Sequence, residues 1–397
     1  MRVALLVDGF LAWGGGVDFF RGILTALAAK AVTEKLTLFL LVPQNTLAQT
    51  MDATPNRYRK IIFDKLAGKQ ACLHTPLANV ADCVDLVLYP NDYPSLVACL
   101  HQVKADVVIP SFFLLGPDFR WPWAGYIYDF QYKYYPEFFS PSLLRHREEE
   151  FALRVNQPKA VLAHSCATRQ DADRFFPHHA ARIFALPPTP ILPEPWLAEP
   201  TENITEKYHL PARYFVISNQ FWVHKAHLTA FDALSRFHRL TSQTDVQIVC
   251  TGKTDDDRFP DYFAQLQQQV REISLQDKIL FLGHIPKFDQ IQILKGAIAV
   301  LQPTLFEGMP GGGSGCDAVA LGQCAIVSDI PVNREMEEDN IYFFKVKSAE
   351  DMAEKMVQVF LLSRPQKTKE ELIRHTHIRI ERLGDTLLEV IRFLTKE

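Results

Sequence analysis

The residues whose types and spacing most clearly indicate a chemical function lie between Leu305 and Asp329, where acidic residues flank a run of glycines. Backbone N–H groups at a helix start lack partners and lie at the positive end of the helix dipole, so glycines there predict an anion site. On either side, Glu307 and Asp317 can accept hydrogen bonds from hydroxyl groups. Phosphate on the amides and hydroxyls on the carboxylates together describe a sugar nucleotide. The amides expected to line the anion site are those of Gly311, Gly312, Gly313, Ser314 and Gly315.

A second cluster follows the apolar segment 214–218 and contains Lys225 between His224 and His227. The lysine would place a compact positive charge beside a diphosphate, and either histidine could add a hydrogen-bond donor. The alternative interpretation is a solvated helix start next to aromatic core residues such as Trp222.

A third cluster, Gly14, Gly15 and Gly16, follows the first apolar segment and precedes an amphipathic one. Glycines allow the backbone to approach a phosphate or a sugar closely, so we expect Gly15 and Gly16 to contact the donor. The spacing lacks the G-x-G-x-x-G fingerprint, and an NAD site is therefore not predicted. The alternative is an ordinary turn.

The segment from Trp121 to Phe139 holds ten aromatic residues in nineteen positions. Aromatic faces pack against sugar C–H surfaces or a membrane interface, whereas the alternative is an aromatic core loop. Within this segment Asp129 ends a predicted strand, where it would orient an acceptor hydroxyl.

Short apolar segments separated by helix-length stretches must position these clusters. Continuous apolar strands indicate parallel sheets covered on both faces, and their alternation with helices predicts an α/β protein with two doubly wound, Rossmann-like domains facing across a cleft. The thirteen predicted strands are 3–7, 36–42, 84–89, 106–109, 125–128, 160–164, 182–186, 214–218, 246–251, 279–282, 297–301, 325–328 and 341–344.

Six prolines between residues 187 and 200 mark the break between these domains, because proline stiffens an extended chain and cannot donate to a sheet. The predicted organisation is an acceptor-side domain at 1–190, a linker at 191–210, a nucleotide-sugar domain at 211–375 and a final helix at 376–397.

Size and composition narrow the protein class. A chain of 397 residues is too long for one core and suits two domains. A net charge of −4 gives no reason to expect nucleic acid. Seven cysteines without CxxC pairing indicate neither a disulfide framework nor a zinc site. The start does not read as a signal peptide and no apolar run is long enough for a membrane helix, so the expected location is cytoplasmic.

The order of these motifs resembles retaining GT-B glycosyltransferases of the group 1 type, most of all those that build bacterial polysaccharides and O-antigens. The resemblance rests on the glycine-rich N-terminal segment, the His224-Lys225 pair and the stretch from Phe306 to Asp329. It implies that Glu307 contacts donor-sugar hydroxyls. It also implies that Asp317 binds the ribose, that Lys225 holds the diphosphate, and that the last helix crosses back to the first domain.

Three features depart from the family pattern. Nine residues separate Glu307 from Asp317, which is more than usual, and the second acid is Asp. Gln220 stands where the family has arginine, which removes a permanent positive charge from the donor site unless His224 compensates. Tyr132 stands where many relatives have histidine.

The predicted function is transfer of a hexose, with retention, from a nucleoside diphosphate sugar to a saccharide or lipid-linked saccharide. Mannose is suggested by the resemblance alone. Lys225, Glu307 and Asp129 are the expected catalytic residues, no cofactor or essential metal is expected, and the aromatic segment suggests peripheral contact with the inner membrane face. The alternatives are a nucleotide-sugar epimerase or sugar phosphorylase of the same fold, and a non-catalytic sugar-nucleotide binder.

Overall fold

The computed structural model describes residues 1–44, 80, 83–200, 202–362 and 367–396. The chain forms two compact units, and it passes from one to the other within the proline-rich segment and again inside the last helix. The first unit comprises Met1–Thr189, Pro193–Pro195 and His377–Glu397, and the second comprises Pro190–Leu192 and Trp196–Thr376. Residues 45–79 of the predicted first domain lie outside the described residues.

The first unit contains a parallel sheet in the order β3-β2-β1-β4-β5-β6-β7. Its strands are almost continuously apolar, and β4, β5 and β6 are buried along their whole length, as expected of a sheet covered on both faces. The strands are β1 Arg2–Leu6, β2 Thr37–Pro43, β3 Val84–Tyr89, β4 Val107–Ser111, β5 Trp123–Ile127, β6 Ala160–Ala163 and β7 Arg182–Ala185.

The second unit contains a parallel sheet in the order β10-β9-β8-β11-β12-β13. In both sheets the order reverses next to the first strand, and ligands of doubly wound folds bind at the carboxyl edge at that point. The strands are β8 Tyr214–Ser218, β9 Gln247–Thr251, β10 Ile279–Gly283, β11 Val300–Gln302, β12 Ala325–Ser328 and β13 Ile341–Phe344. All thirteen predicted strands are thus present in the described chain.

Helices cover both sheets. Those of the first unit are α1 Gly14–Ala31, α2 Tyr93–Gln102, α3 Gln131–Tyr134, α4 Pro141–Arg154 and α5 Cys166–Phe175. Those of the second are α6 Ile204–Lys207, α7 His227–Thr241, α8 Tyr262–Glu272, α9 Lys287–Gly296, α10 Gly312–Ala320 and α11 Ala349–Phe360, and α12 Lys369–Thr395 follows them. Among the described residues, no helix is long and apolar enough to cross a membrane.

The last part of α12 packs on the first unit through apolar residues and ion pairs. Leu387, Val390 and Ile391 are buried. The ammonium group of Lys30 on α1 lies 2.6 Å from the carboxylates of both Glu381 and Asp385. The chain therefore ends as an integral part of the unit in which it begins.

Candidate functional site

Lys225 and Glu307 form a buried ion pair at the carboxyl edge of the second sheet. Lys225 ends the short 3₁₀ turn Val223–Lys225, which follows β8. Its Nζ lies 2.5 Å from Oε1 of Glu307, and only 10% and 11% of the two side chains are exposed. Two groups predicted from separate motifs to act on the donor are thus brought into direct contact.

Gln302, the last residue of β11, connects this pair to the two neighbouring loops. Its Nε2 donates to Oε1 of Glu307 at 3.2 Å. Its Oε1 accepts from Nδ2 of Asn219 at 2.5 Å and from Oγ of Ser314 at 3.3 Å. Neither Gln302 nor Asn219 was predicted, although a polar residue at the end of an otherwise apolar strand is a usable signal in the sequence.

The glycine run opens α10 with two residues in the left-handed region. Gly311 is the N-cap of the helix with φ 71° and no side-chain capping bond, and Gly312 has φ 57°. The Gly311 N–H donates to Oδ1 of Asn333 at 2.8 Å, and Nδ2 of Asn333 donates to the Ser328 carbonyl at 2.8 Å. Because Asn333 is fully buried, its two hydrogen bonds hold the turn at Gly311 in place from the protein interior.

The glycines of this run are needed for different reasons. A Cβ at Gly312 would clash with Nε2 of Gln302 and lie 3.1 Å from Oε1 of Glu307. Packing and a positive φ therefore both account for the glycine at position 312. Gly313 is exposed, and its Cβ would meet nothing within 4 Å in the described protein. The open space at Gly313 lies at the helix N-terminus, where an anion is favoured.

Asp317 lies on α10, one turn beyond the glycines, and is buried. Its Oδ2 accepts a hydrogen bond from Nζ of Lys287 at 2.6 Å, and Nε2 of Gln290 lies 3.5 Å from the same oxygen. Lys287 begins α9 and was not predicted, because a lysine at the start of an amphipathic helix looks like any solvated one.

His224 and His227 flank Lys225 but carry no charge at neutral pH. Burial, together with the charges of Lys225 and Arg258, holds the pKa of His224 well below its usual range. Burial lowers the pKa of His227 to about 3, and its ring stacks on Phe221 at a centroid distance of 4.7 Å. His224 therefore adds no positive charge to replace the one missing at Gln220.

The loop after β9 brings a cationic residue, Arg258, to this region. Its guanidinium carbon lies 5.5 Å from the centroid of the Trp222 ring, which is itself 5.6 Å from the His224 ring. The Phe221 N–H donates to the Lys253 carbonyl at 2.9 Å and ties the two loops together. Arg258 was not predicted either.

In the first unit, the triple glycine forms the first turn of α1 and not a loop before it. Trp13 is the N-cap residue and is 39% exposed. A Cβ at Gly15 would clash with the Trp13 ring, and one at Gly16 would clash with that ring and with the Phe10 carbonyl. The structure thus supplies a packing reason for both glycines, while their predicted contact with the donor stays a prediction.

Asp129 follows β5, and its Oδ1 accepts a hydrogen bond from the Gln131 N–H at 2.8 Å. At the same sheet edge, the Tyr126 hydroxyl lies 2.9 Å from Nδ1 of His164. Burial lowers the pKa of His164 to about 4, so its imidazole is neutral at pH 7.

Half of the aromatic segment belongs to the protein interior. The buried members are Trp123, Tyr126, Phe130, Tyr132 and Phe139, so for these residues the core interpretation is correct. Tyr134, in contrast, is 41% exposed. Within the described parts of the chain, no group of three or more His, Cys, Asp or Glu residues is arranged to hold a metal ion.

The fold defines the class of protein. A glycosyltransferase from Rickettsia africae is 15% identical, with a TM-score of 0.65 over 100% of this chain and 99% of that one. Anabaena HepE, solved with UDP and glucose, is 14% identical, with a TM-score of 0.62 over 99% of each chain. At such identities the likeness establishes the fold alone, which is GT-B.

The sequence comparisons then identify the domain that carries the Lys225–Glu307 pair. Residues 202–376 match the family model of group 1 glycosyl transferases, so they form a group 1 glycosyltransferase domain, as the resemblance implied. The O-antigen chain mannosyltransferase RfbU of Salmonella typhimurium is 32% identical over 124 residues. This alignment spans 31% of this chain and 31% of that relative.

Proposed function

We propose that this protein is a retaining glycosyltransferase that moves a hexose from a nucleoside diphosphate sugar to a saccharide acceptor in polysaccharide or lipopolysaccharide synthesis. The observation that carries the proposal is the buried pair of Lys225 and Glu307, linked through Gln302 to the glycine-rich start of α10. The group 1 domain and the O-antigen mannosyltransferase relative support it, and mannose is the transferred sugar that this relative suggests.

Lys225 and the first turn of α10 stabilise the leaving diphosphate. Negative charge develops on that group as the glycosidic bond breaks, and donors that are already in place stabilise it without reorganisation. The ammonium of Lys225 is held by Glu307 before any ligand arrives. The Gly313 amide lies where the space is open. The positive charge and the amides thus act together on the phosphates.

Glu307 acts on the sugar as a hydrogen-bond acceptor and not as a nucleophile. Lys225 and Gln302 both donate to Oε1 of Glu307, and a carboxylate has about four acceptor positions. Oε2 accepts a hydroxyl of the transferred hexose. Pairing with an ammonium group reduces the nucleophilicity of the carboxylate, so retention follows from front-face attack assisted by the leaving phosphate.

Asp129 on the first unit orients the acceptor hydroxyl. Asp129 lies two residues after the end of β5, and the hydrogen bond from the Gln131 N–H fixes one of its carboxylate oxygens. The acceptor is a saccharide or a lipid-linked saccharide, and the protein works on the cytoplasmic side, at the membrane face when the acceptor is lipid-linked. Neither nucleic acid nor an essential metal is part of the proposed reaction.

The test is to incubate the purified protein with GDP-, UDP-, ADP- and dTDP-sugars and saccharide acceptors, with and without EDTA. We expect one donor to yield free diphosphate and a glycoside with the anomeric configuration of the donor, read by NMR, at the same rate in EDTA. Lys225→Met and Glu307→Gln should abolish turnover, whereas the exposed control Glu354→Gln should not.

Other products would refute the proposal. An isomerised nucleotide sugar formed without acceptor would identify an epimerase. Binding of a nucleotide sugar without turnover on any acceptor would identify a non-catalytic binder, and normal turnover by both site variants would show that the site has been placed wrongly.

A further inference from the structure

The ammonium group of Lys287 is held in a fixed place beside Asp317. Its Nζ lies 2.6 Å from Oδ2 of Asp317 and 5.2 Å from the centroid of the Trp196 ring. Trp196 is 7% exposed and packs with Leu192 and Ile291, so the aromatic face is itself rigid. An ion pair and a cation–π contact therefore fix the same ammonium group.

Asp317 needs such a partner because of where it lies. Only 7% of the residue is exposed, and an ionised carboxylate is costly to bury without a counterion. Lys287 and Gln290 both approach Oδ2 from α9. Two side chains of a neighbouring helix thus contribute to the orientation of the carboxylate.

We propose that Lys287 is a positioning residue for nucleotide recognition. It keeps the Asp317 carboxylate ionised and turned toward the 2′-hydroxyl of the ribose, and through Asp317 it makes the site prefer ribonucleotides over 2′-deoxyribonucleotides. This proposal rests on the proposed function and on the predicted role of Asp317 as the residue that accepts a hydrogen bond from the ribose of the donor. Lys287 itself acts without touching the reacting atoms.

A positioning role and a purely structural role of Lys287 predict different changes in nucleotide affinity. A hydrogen bond to a charged group contributes enough to change affinity by roughly tenfold or more. When the carboxylate loses the ammonium group of Lys287, its hydrogen bond to the 2′-hydroxyl weakens, and only ligands with that hydroxyl lose affinity. A general loosening of the fold would instead weaken ribo- and deoxyribonucleotides equally.

The experiment measures by calorimetry the dissociation constants of GDP, UDP and ADP and of dGDP, dUDP and dADP. The variants are then measured with the ribo- and deoxyribonucleoside diphosphates of the base for which the wild-type protein has the highest affinity. We expect Lys287→Met to weaken the ribonucleoside diphosphate about tenfold and to change its 2′-deoxy counterpart by less than about twofold. Lys287→Arg should restore most of the preference, since a guanidinium group also pairs with a carboxylate.

Lys295→Met is the matched control. Lys295 lies near the other end of α9, where its ammonium group donates to Oε1 of Gln292 at 3.0 Å, so this variant should keep both affinities. Asp317→Asn should remove the same preference, and adding Lys287→Met to it should change the preference no further. This combination tests the proposal even if Lys287→Met alone folds poorly.

Three results would overturn the inference: an unchanged ratio of ribo to deoxyribo affinity in Lys287→Met, an equal loss for both ligands, or additive effects in the double variant. Its failure is distinguishable from failure of the proposed function. If the wild-type protein binds none of these diphosphates and transfers from none of the nucleotide sugars of the donor test, the proposed function fails and the role of Lys287 fails with it.

Discussion

Nζ of Lys225 and Oε1 of Glu307 are 2.5 Å apart, although the two residues are 82 positions apart in the chain. The pair joins the loop after β8 to the loop after β11, and about nine-tenths of each side chain is buried. A buried pair of this kind gives little net stability, because desolvation offsets the attraction between the charges. Its value lies in the fixed positions of an ammonium and a carboxylate.

Removing one member of this pair should cost more stability than removing both charges. Lys225→Met leaves a buried carboxylate unpaired, and we expect the free energy of unfolding to fall by about 3 kcal/mol or more. The double variant Lys225→Met/Glu307→Gln should recover a large part of that loss while staying inactive. Urea unfolding followed by circular dichroism measures both. Equal losses in the single and double variants would contradict a strongly coupled pair.

The neighbouring glycines Gly312 and Gly313 should respond to alanine in opposite ways. Gly312→Ala forces a Cβ into Gln302 at a positive φ, so the melting temperature should fall. Gly313→Ala meets open space, so stability should stay the same or rise by up to about 1 kcal/mol.

In the same pair of variants, nucleoside diphosphate binding should weaken in Gly313→Ala, since the added methyl group occupies the space proposed for the phosphate. Thermal unfolding with and without ligand gives both quantities. A Gly313→Ala protein with wild-type affinity would show that no ligand approaches α10 there.

Acid should destabilise the protein through its buried neutral histidines. The pKa of His164 is lowered to about 4 and that of His227 to about 3, from an ordinary value of 6.5. As the pH falls below 6.5, the unfolded chain binds these protons and the folded chain does not. Stability is therefore lost progressively from pH 6.5 down to about 4, and for His227 down to about 3.

The slope of stability against pH identifies the contribution of one histidine. Each of these residues contributes up to about 1.4 kcal/mol per pH unit in that window. His227→Phe keeps an aromatic ring against Phe221 and removes one titrating group, so urea unfolding between pH 4 and 7 should give a shallower slope. An equal slope in wild type and His227→Phe would show that His227 is protonated in the folded state.

Lys30→Met should loosen the end of α12. Lys30 contacts both Glu381 and Asp385 and is 13% exposed at its side chain, so the loss leaves two carboxylates without their common cation. We expect a cost of about 1 kcal/mol and faster amide hydrogen exchange in residues 377–395, with Lys159→Met as an exposed control. Unchanged exchange there would mean that the apolar contacts alone hold the helix.

The fold was readable from the sequence because its signal is local. Thirteen apolar segments, each long enough for one strand, alternate with amphipathic stretches, and every one became a strand. The glycine run and the acids beside it were visible for the same reason. Their roles on a donor stay predictions until ligand binding is measured.

The supporting residues were not readable, because their importance depends on contacts between distant segments. Gln302 supports the site because its side-chain amide hydrogen-bonds to both Asn219 and Glu307. Asn333 matters because it reaches the Gly311 N–H. Lys287 looks like an ordinary surface lysine until α9 places it next to Asp317. Residue type and spacing carry no information on such side-chain contacts between distant segments of the chain.

The amide of Gln302 has a consequence for how this site tolerates change. An amide has an acceptor end and a donor end, and here the acceptor end faces Asn219 and Ser314 while the donor end faces Glu307. A neutral residue thereby imposes a polarity on its neighbours: it accommodates an acid at position 307 and donors at the other two. The residues at positions 219, 307 and 314 must therefore change together. Each of them hydrogen-bonds to Gln302, so a change at one position alters which residue types the other two can hold.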